Sequence, residues 1–279
     1  MSLWFDETFQ GRVRLGFHVT KTVFHGQSEF QSVDVVETEA WGRTLLLDGV
    51  YMTSVRDEYH YHEMLVHPAL TSAPSIKRVL VIGGGDGGTV REVLRYREVE
   101  HVTLCEIDRL VIEASQQHLT EFNVPWNEPR LNILCQDGVA YLRDYKGEPF
   151  DVILVDGADP VGPAAGLFES PFYAACKARM SPSGVLASQT EAPTLMRDDF
   201  VKIVKTLRHE FPNAQPYFGP VPIYVCGLWS WTLASNSGPV TALSPREDRL
   251  AQIEAGCRYY NRDIHKAAFV LPNDLRKLL

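Results

Sequence analysis

The sequence has no apolar run that approaches the ~18 residues that a membrane-spanning helix needs. The first seven residues, Met1 to Glu7, contain neither the basic stretch nor the apolar block of a signal peptide. From these absences we expect a cytoplasmic protein that has no membrane as a partner.

Paired cysteines are also missing. The five cysteines are odd in number and form no Cys-x-x-Cys pair, which argues against a disulfide framework and a zinc site. Cys105 and Cys135 lie in apolar stretches, and we predict that both are core thiols. His60, His62 and His67 share one helix-like stretch, but positions i and i+2 do not share a helix face. We therefore expect no metal.

Positive charge is scarce as well. Lysine and arginine number 27 against 35 aspartates and glutamates, so the formal net charge is −8. A negative balance of this size argues against nucleic acid as a partner and favours cationic small molecules.

The chain is instead rich in glycine at one place. Four β-favouring apolar residues, Val79 to Ile82, are followed by six residues, Gly83 to Gly88, of which five are glycine and one is Asp86. This pattern is typical of a buried parallel strand that ends in a nucleotide-binding turn. A helix that begins near Thr89 would point its N-terminus at the ligand. We predict that a nucleoside binds here.

Three further strand-like segments end in acidic residues. Glu106 follows Asp86 by 20 residues, about the spacing at which an acidic side chain accepts hydrogen bonds from a ribose. Asp137, with Gly138 after it, and Asp156 end the other two segments. Because ligands bind at the carboxyl ends of strands in open α/β sheets, we expect these acids to gather around one crevice.

The distribution of patterns predicts two domains. Residues 1–60 are β-rich, and an Asp48-Gly49 turn between apolar runs predicts a hairpin. Over residues 61–279, strands alternate with helical stretches, which predicts an α/β fold with a doubly wound parallel sheet. Proline and glycine are dense in residues 157–168, which should exclude regular structure there and is typical of a lid loop.

Several motifs together make the chain closely similar to the spermidine synthases, and especially to the bacterial members. The motifs are SEFQ at 28–31, LDG at 47–49, DEYHYHEM at 57–64, GGGDGG at 83–88 with RE at 91–92, DGADPVGPA at 156–164, and RYY at 258–260 with DIHKAAF at 263–269. The resemblance implies a Rossmann-like, methyltransferase-type domain behind a small N-terminal antiparallel β-domain. It also implies a homodimer.

The activity that the resemblance implies is transfer of an aminopropyl group from decarboxylated S-adenosylmethionine (SAM) to putrescine, which gives spermidine and methylthioadenosine. Decarboxylated SAM would be a co-substrate, and neither a metal nor a redox cofactor is expected. A primary ammonium has a pKa near ~10 and must lose a proton before its nitrogen can attack. Asp156 matches the family's catalytic aspartate and is the candidate general base.

The same resemblance assigns the binding residues. For the acceptor, Asp159 would hold an amine, and Tyr61, Gln189 and Tyr224 would line its channel, although the two tyrosines could also be ordinary packing residues. The positions that match the donor site are Gln31, His62, Gly83, Gly85, Asp86, Glu106, Asp137, Gly138 and Pro163. An acid at position 86 favours the decarboxylated donor, because it would repel the carboxylate of SAM.

Some residues depart from the family pattern. Gly157-Ala158 stands where a small hydroxyl residue or cysteine followed by serine or threonine is usual, and PIYVCG at 222–227 replaces PTYPSG. The acceptor therefore stays open among putrescine, cadaverine, agmatine and longer polyamines. A SAM-dependent amine methyltransferase, an NAD-dependent dehydrogenase and a non-catalytic polyamine-binding protein are the remaining alternatives.

Overall fold

The first strands of the chain form an antiparallel sheet. The structure, a computed structural model, describes residues 3–9, 11–238 and 244–279. Outside these ranges, in one or other of the two predicted domains, lie Met1, Ser2, Gln10 and residues 239–243. The N-terminal sheet has the order β1-β2-β3-β4-β5, with strands β1 (Leu3–Phe9), β2 (Val13–Gln27), β3 (Ser32–Thr38), β4 (Gly42–Leu47) and β5 (Val50–Ser54).

The predicted hairpin is confirmed between β4 and β5. Asp48 and Gly49 both have positive φ values, 48° and 78°, and Leu47 pairs with Val50 across the turn. Two consecutive residues with positive φ suit the right-handed twist of a two-residue hairpin, which is why an Asp-Gly pair is favoured there.

A second sheet of seven strands has the order β11-β12-β10-β9-β6-β7-β8. Strands β6 to β10 pair in parallel, whereas β12 pairs antiparallel with both β10 and β11. The chain moves outward from β6 to β8 and then returns to the other side of β6 as β9. The strands are β6 (Arg78–Gly83), β7 (His101–Glu106), β8 (Leu131–Cys135), β9 (Phe150–Asp156), β10 (Met180–Gln189), β11 (Gln215–Pro220) and β12 (Leu228–Ser235).

Both faces of this second sheet are covered, as a doubly wound fold requires. Val79 and Val81 of β6 belong to a core that includes residues of α1 and α2, whereas Leu80 and Ile82 belong to a core that includes residues of α4, α5 and α6. The helices are α1 (Glu58–Ser72), α2 (Gly88–Leu94), α3 (Arg109–His118), α4 (Gly138–Asp144), α5 (Ser170–Arg179), α6 (Arg197–Glu210), α7 (Glu247–Ile253), α8 (Arg262–Ala268) and α9 (Asn273–Arg276). The predicted α/β fold class is confirmed.

Two local expectations are wrong. The segment 157–168 is not free of regular structure, because Gly162–Phe168 forms a 3₁₀ helix with a proline in its first turn and with Leu167 and Phe168 buried. Cys105 is buried, but Cys135 is exposed, because it ends β8, the edge strand of the second sheet.

The N-terminal sheet ends at Ser54, and α1 begins at Glu58 and packs against the second sheet. The division into domains at residue 60 stays a prediction. In the ranges given above, no helix combines the length and apolarity that crossing a bilayer requires.

Candidate active site

A cavity of about 260 Å³ lies between the N-terminal sheet and the carboxyl ends of the parallel strands. The sheet contributes apolar side chains such as Leu45 and Met52, and the strand ends contribute acids. Every residue that the sequence analysis placed in the site lines this cavity: Gln31, Tyr61, His62, Gly83, Gly85, Asp86, Glu106, Asp137, Gly138, Asp156, Asp159, Pro163, Gln189 and Tyr224.

Asp156 reaches the glycine-rich turn through the register of two strands. It ends β9 directly opposite Gly83, the last residue of β6. Gly83 has a φ of 76°, and a Cβ on it would lie 2.1 Å from the backbone oxygen of Asp156. Only glycine fits this close approach, and the approach brings the candidate base beside the glycine-rich turn.

The environment of Asp156 suits a base that operates near neutral pH. The Thr89 hydroxyl donates a 2.6 Å hydrogen bond to its Oδ2. Burial and the neighbouring Asp86 carboxylate raise the pKa of Asp156 to about 6, although His62 and the hydroxyls of Thr89 and Tyr61 act in the lowering direction. A carboxylate with a raised pKa is a stronger base than an ordinary aspartate.

Asp86 is held from two sides. Its Oδ1 accepts a 2.7 Å hydrogen bond from the Gly88 amide and lies 3.2 Å from Nε2 of His62. Burial raises the pKa of Asp86, but the charge and hydrogen bond of His62 outweigh that effect and leave it below its ordinary value. Asp86 is therefore ionised and can attract a cation.

Glu106 lies where an acidic residue would meet a ribose. It accepts hydrogen bonds from the amides of Gly85, at 3.2 Å, and Asp108, at 2.9 Å. Burial raises the pKa of Glu106 to about 7, against the lowering effect of the Asp108 amide. Gln31 is fixed next to it, because its Nε2 donates a 3.0 Å hydrogen bond to Asp108 Oδ2.

The remaining donor-site residues lie at the mouth of the cavity. Asp137 is exposed, and its side chain caps α4 by accepting a 2.9 Å hydrogen bond from the Val139 amide. Gly138 begins α4, and Pro163 lies in the first turn of the 3₁₀ helix. This helix thus forms one wall of the cavity.

The two predicted tyrosines lie deep in the cavity. Their rings are 6.2 Å apart in an edge-on arrangement, and Tyr61 is also edge-on to Trp231. The Tyr224 hydroxyl donates a 2.9 Å hydrogen bond to the Met52 backbone oxygen, which links its loop to the N-terminal sheet. Both tyrosines are therefore wall residues of the cavity, and packing against the core does not exclude contact with a ligand.

More acid lies around Asp159 than the sequence analysis found. Asp159 is half-buried, and burial together with the charges of Glu7 and Asp199 raises its pKa to about 6. Glu191 is 1% exposed, and burial and the nearby Asp159 raise its pKa well above the ordinary value. Gln189 connects the group by donating a 3.0 Å hydrogen bond to Glu191.

Glu7, Glu58, Thr89 and Glu191 are the residues that the sequence analysis missed. Glu191 could have been found, because it lies two residues beyond Gln189 and repeats the pattern of a strand followed by an acid. Glu58 has the i, i+4 spacing to His62 that marks one helix face. No pattern points to Glu7, which comes from β1, far away in the chain.

The three clustered histidines have separate surroundings. The His60 ring packs against the Tyr259 ring in a tilted arrangement, with the ring centroids 4.7 Å apart. His67 instead pairs with the buried Glu92. His62 alone lines the cavity. Among the residues that the structure describes, no three His, Cys, Asp or Glu side chains are grouped so that they could hold a metal ion.

Fold and site together define a protein of the methyltransferase-like α/β class, with an acidic cavity at the carboxyl ends of its parallel strands. Family models match both parts of the chain: the spermine/spermidine synthase domain over residues 58–244 and the spermidine synthase tetramerisation domain over residues 3–54. The chain belongs to the spermine/spermidine synthase family, and it is an aminopropyltransferase.

Individual relatives agree with this assignment. A polyamine aminopropyltransferase of Prochlorococcus marinus is 44% identical over 267 residues, which cover 95% of this chain and 92% of the relative. One of Caldicellulosiruptor saccharolyticus is 40% identical over 100% of this chain and 99% of its own length.

Two solved spermidine synthases are similar in structure. One, solved in complex with the transition-state analogue AdoDATO, has a TM-score of 0.95 and 38% sequence identity, and the other, from Thermotoga maritima, has a TM-score of 0.92 and 37% identity. Each match covers 99% of this chain and 94% of the solved chain. The predicted family and methyltransferase-type fold are confirmed.

Proposed function

We propose that the protein is a spermidine synthase that transfers the aminopropyl group of decarboxylated SAM to putrescine. The carbon–sulfur bond of the sulfonium breaks as the putrescine nitrogen forms a new carbon–nitrogen bond. The products are spermidine, methylthioadenosine and one proton. The observation that carries the proposal is the position of Asp156, a half-buried carboxylate with a raised pKa that lines the cavity between the glycine-rich turn and Asp159.

Asp156 is the general base of this proposal. An aliphatic ammonium has no lone pair and a pKa near ~10, so the enzyme must remove a proton for the nitrogen to attack. A carboxylate with a pKa of about 6 is ionised at neutral pH and accepts that proton. The neutral thioether that departs from a sulfonium is already a good leaving group, and the transfer involves no net oxidation or reduction. The reaction therefore needs neither a metal nor a redox cofactor.

The donor half of the cavity suits a nucleoside that bears a cation. Glu106 would accept hydrogen bonds from the ribose hydroxyls, and Asp137 with Gly138 would meet the adenine beside Pro163. Asp86 and the amide oxygen of Gln31 would hold the aminopropyl ammonium, with His62 behind Asp86. A carboxylate at the turn disfavours SAM, because the donor's own carboxylate would lie next to it.

The acceptor half suits a diamine. The charge of Glu7 raises the pKa of Asp159, and the charge of Asp159 raises the pKa of Glu191, so a cation next to Asp159 would relieve this repulsion. Tyr61, Tyr224 and Gln189 would line the channel between these acids and Asp156. A diamine that spans the channel would place one ammonium among the acids and the other nitrogen next to the base.

Another amine acceptor is the second candidate. A Cβ on Gly157 would lie 2.9 Å from Leu167, and Ala158 contributes no hydroxyl, so the channel wall differs from the family pattern at the two residues between the candidate base and Asp159. Cadaverine, agmatine or spermidine would then be preferred over putrescine.

We further propose that the chain acts as a homo-oligomer in the cytoplasm. The resemblance to the spermidine synthases implies a dimer, whereas the name of the family model that matches residues 3–54 refers to a tetramer. Sedimentation of the purified protein distinguishes the two assemblies.

The experiment that tests the function measures methylthioadenosine release. Decarboxylated SAM and, separately, SAM serve as donors, and putrescine, cadaverine, agmatine and spermidine serve as acceptors. We expect product only with decarboxylated SAM and the highest kcat/KM with putrescine. A higher value for another amine would support the second candidate, and failure of every pair would refute the proposal.

A further inference from the structure

A chain of four buried or half-buried charged side chains lies behind the glycine-rich turn, and we call it the charged chain: Arg91, Glu58, His62 and Asp86. Glu58 accepts two hydrogen bonds from the Arg91 guanidinium, at 3.0 Å and 2.8 Å. It also pairs with Nδ1 of His62 at 2.8 Å. Glu58 is 7% exposed and His62 is 1% exposed, so water competes little for these contacts.

The two nitrogens of His62 face two different carboxylates. Nδ1 faces Glu58, and Nε2 lies 3.2 Å from Oδ1 of Asp86. A neutral imidazole has one N–H and would direct a lone pair at one of these carboxylates, whereas an imidazolium donates to both. A carboxylate on each side of the ring therefore favours the doubly protonated form.

The ring is also fixed in place by the backbone. A Cβ on Gly88 would lie 2.2 Å from the His62 ring, so the imidazole rests against the first residue of α2. The Gly88 amide donates to the same Asp86 oxygen that His62 approaches. Oδ1 of Asp86 thus has two partners, whereas Oδ2 accepts no hydrogen bond from the residues in the described ranges.

We propose that Glu58 and Arg91 are positioning residues for the primary ammonium of the donor. They hold His62 so that both of its nitrogens donate, and His62 with the Gly88 amide then fixes Oδ1 of Asp86. Oδ2 is left to accept from the ammonium. This inference rests on the proposed function, and it assigns His62 the task of orienting Asp86.

The charges around His62 support this arrangement. Burial would lower the pKa of His62, but the carboxylates of Asp86 and Glu58 outweigh burial and raise it well above the ordinary value. Titratable and charged groups from every neighbouring element act on it or lie beside it: Asp57, Glu58 and Tyr61 on α1 or before it, Asp86 in the turn, Arg91 on α2 and Asp156 at the end of β9.

The first test uses the wild-type protein. Selective ¹⁵N labelling of histidine, with His62 assigned by its missing signal in His62→Gln, reports the protonation of each ring nitrogen by NMR. We expect both nitrogens of His62 to stay protonated from about pH 6 to pH 8.5. A neutral His62 at pH 7.5 would overturn the proposal without any reference to activity.

The second test changes the charge of Glu58 alone. Glu58→Gln keeps the shape of the side chain but removes one carboxylate from His62, so the His62 pKa should fall toward the neutral range and Asp86 should lose its fixed orientation as the pH rises. We expect the dissociation constant of decarboxylated SAM, measured by calorimetry, to rise about tenfold at pH 8.5 and less than threefold at pH 6.

Methylthioadenosine is the matched ligand, because it has the same nucleoside but no ammonium. Its affinity for Glu58→Gln should stay within about twofold of the wild type at both pH values. Equal weakening of both ligands would show general damage to the site and would overturn the positioning role.

Glu92→Gln is the matched control variant. Glu92 is buried and pairs with the same Arg91, but it does not contact His62, so the His62 signal and its pH dependence should be unchanged. A shift as large as that in Glu58→Gln would overturn the proposal.

If the wild type binds methylthioadenosine but not decarboxylated SAM, the proposed function fails, and the NMR result still decides whether His62 is held as described.

Discussion

The donor half and the acceptor half of the cavity are both acidic, but they are built in different ways. In the donor half, Glu106 ends a parallel strand and accepts hydrogen bonds from two backbone amides. In the acceptor half, Asp159, Glu191 and Glu7 come from a loop, the end of β10 and the N-terminal sheet. The donor half is therefore centred on the carboxyl ends of neighbouring parallel strands, with Gln31 and His62 added from other elements, whereas the acids of the acceptor half all come from segments distant in the chain.

This difference has an electrostatic consequence. Two backbone amides lower the pKa of Glu106 against the raising effects of burial and of the Asp108 and Asp156 charges, whereas burial, Glu7 and Asp199 all raise the pKa of Asp159. We therefore expect the donor half to hold a neutral ribose in a preformed arrangement. We expect the acceptor half to be more stable when a cation is bound, which would make it selective for charged amines.

The largest expected effect lies at the junction of the two halves. Asp156→Asn keeps the shape but removes the base, so we expect turnover to fall by about 10²–10⁴-fold, with the dissociation constant of methylthioadenosine within about threefold of the wild type. Single-turnover kinetics and calorimetry measure the two quantities. Turnover within tenfold of the wild type would refute Asp156 as the base.

Asp159→Ala should affect the acceptor half alone. Loss of a hydrogen bond to a charged group costs about 1.5–3 kcal/mol, so the KM for putrescine should rise about 10–100-fold while the KM for the donor stays unchanged. Steady-state kinetics with each substrate varied in turn checks this. An unchanged putrescine KM would place the amine elsewhere.

Glu106→Gln is the corresponding substitution in the donor half. The amide keeps one acceptor oxygen, so the loss is smaller, and we expect the dissociation constant of methylthioadenosine to rise about tenfold. The KM for putrescine should not change. A parallel rise in both constants would mean that the two halves are not independent.

The pH profile probes the acids of both the junction and the acceptor half. Asp156 and Asp159 each have a pKa raised to about 6 in the ligand-free protein, and their carboxylate forms are lost as the pH falls. We expect kcat/KM for putrescine to fall below about pH 6, by up to about tenfold per pH unit for each of the two acids. An acid limb that begins only near pH 4 would contradict the raised values.

The smallest effect is expected at the link between the acceptor half and the N-terminal sheet. Tyr224→Phe removes the hydrogen bond to the Met52 backbone oxygen, which is worth about 1 kcal/mol. We expect the putrescine KM to rise about fivefold with no change in methylthioadenosine affinity. A larger change in the donor constant would show that the loop also supports the donor half.

The sequence was sufficient for the features that depend on neighbouring residues. The apolar strand before Gly83, the Asp-Gly hairpin and the acids at strand ends are local patterns, and the fold class that they indicated is confirmed. The family, which was inferred from the resemblance of several motifs, is confirmed as well. The roles of the fourteen predicted site residues stay predictions, although all of them line one cavity. The local patterns failed where packing overrides them, as in the 3₁₀ helix of Gly162–Phe168 and the exposed Cys135.

Contacts between distant segments could not be predicted from the sequence, and only the structure shows them. Glu7 joins the acids around Asp159 because β1 lies over the carboxyl ends of the second sheet, and its position in the chain contains no sign of this. The i, i+4 spacing of Glu58 and His62 indicates that the two side chains can pair. Their contacts with Asp86 and Arg91 depend on how α1 packs against α2. Turns and strand ends depend on consecutive residues, and the sequence therefore predicts them. A cluster of interacting charges depends on distances between segments that folding brings together.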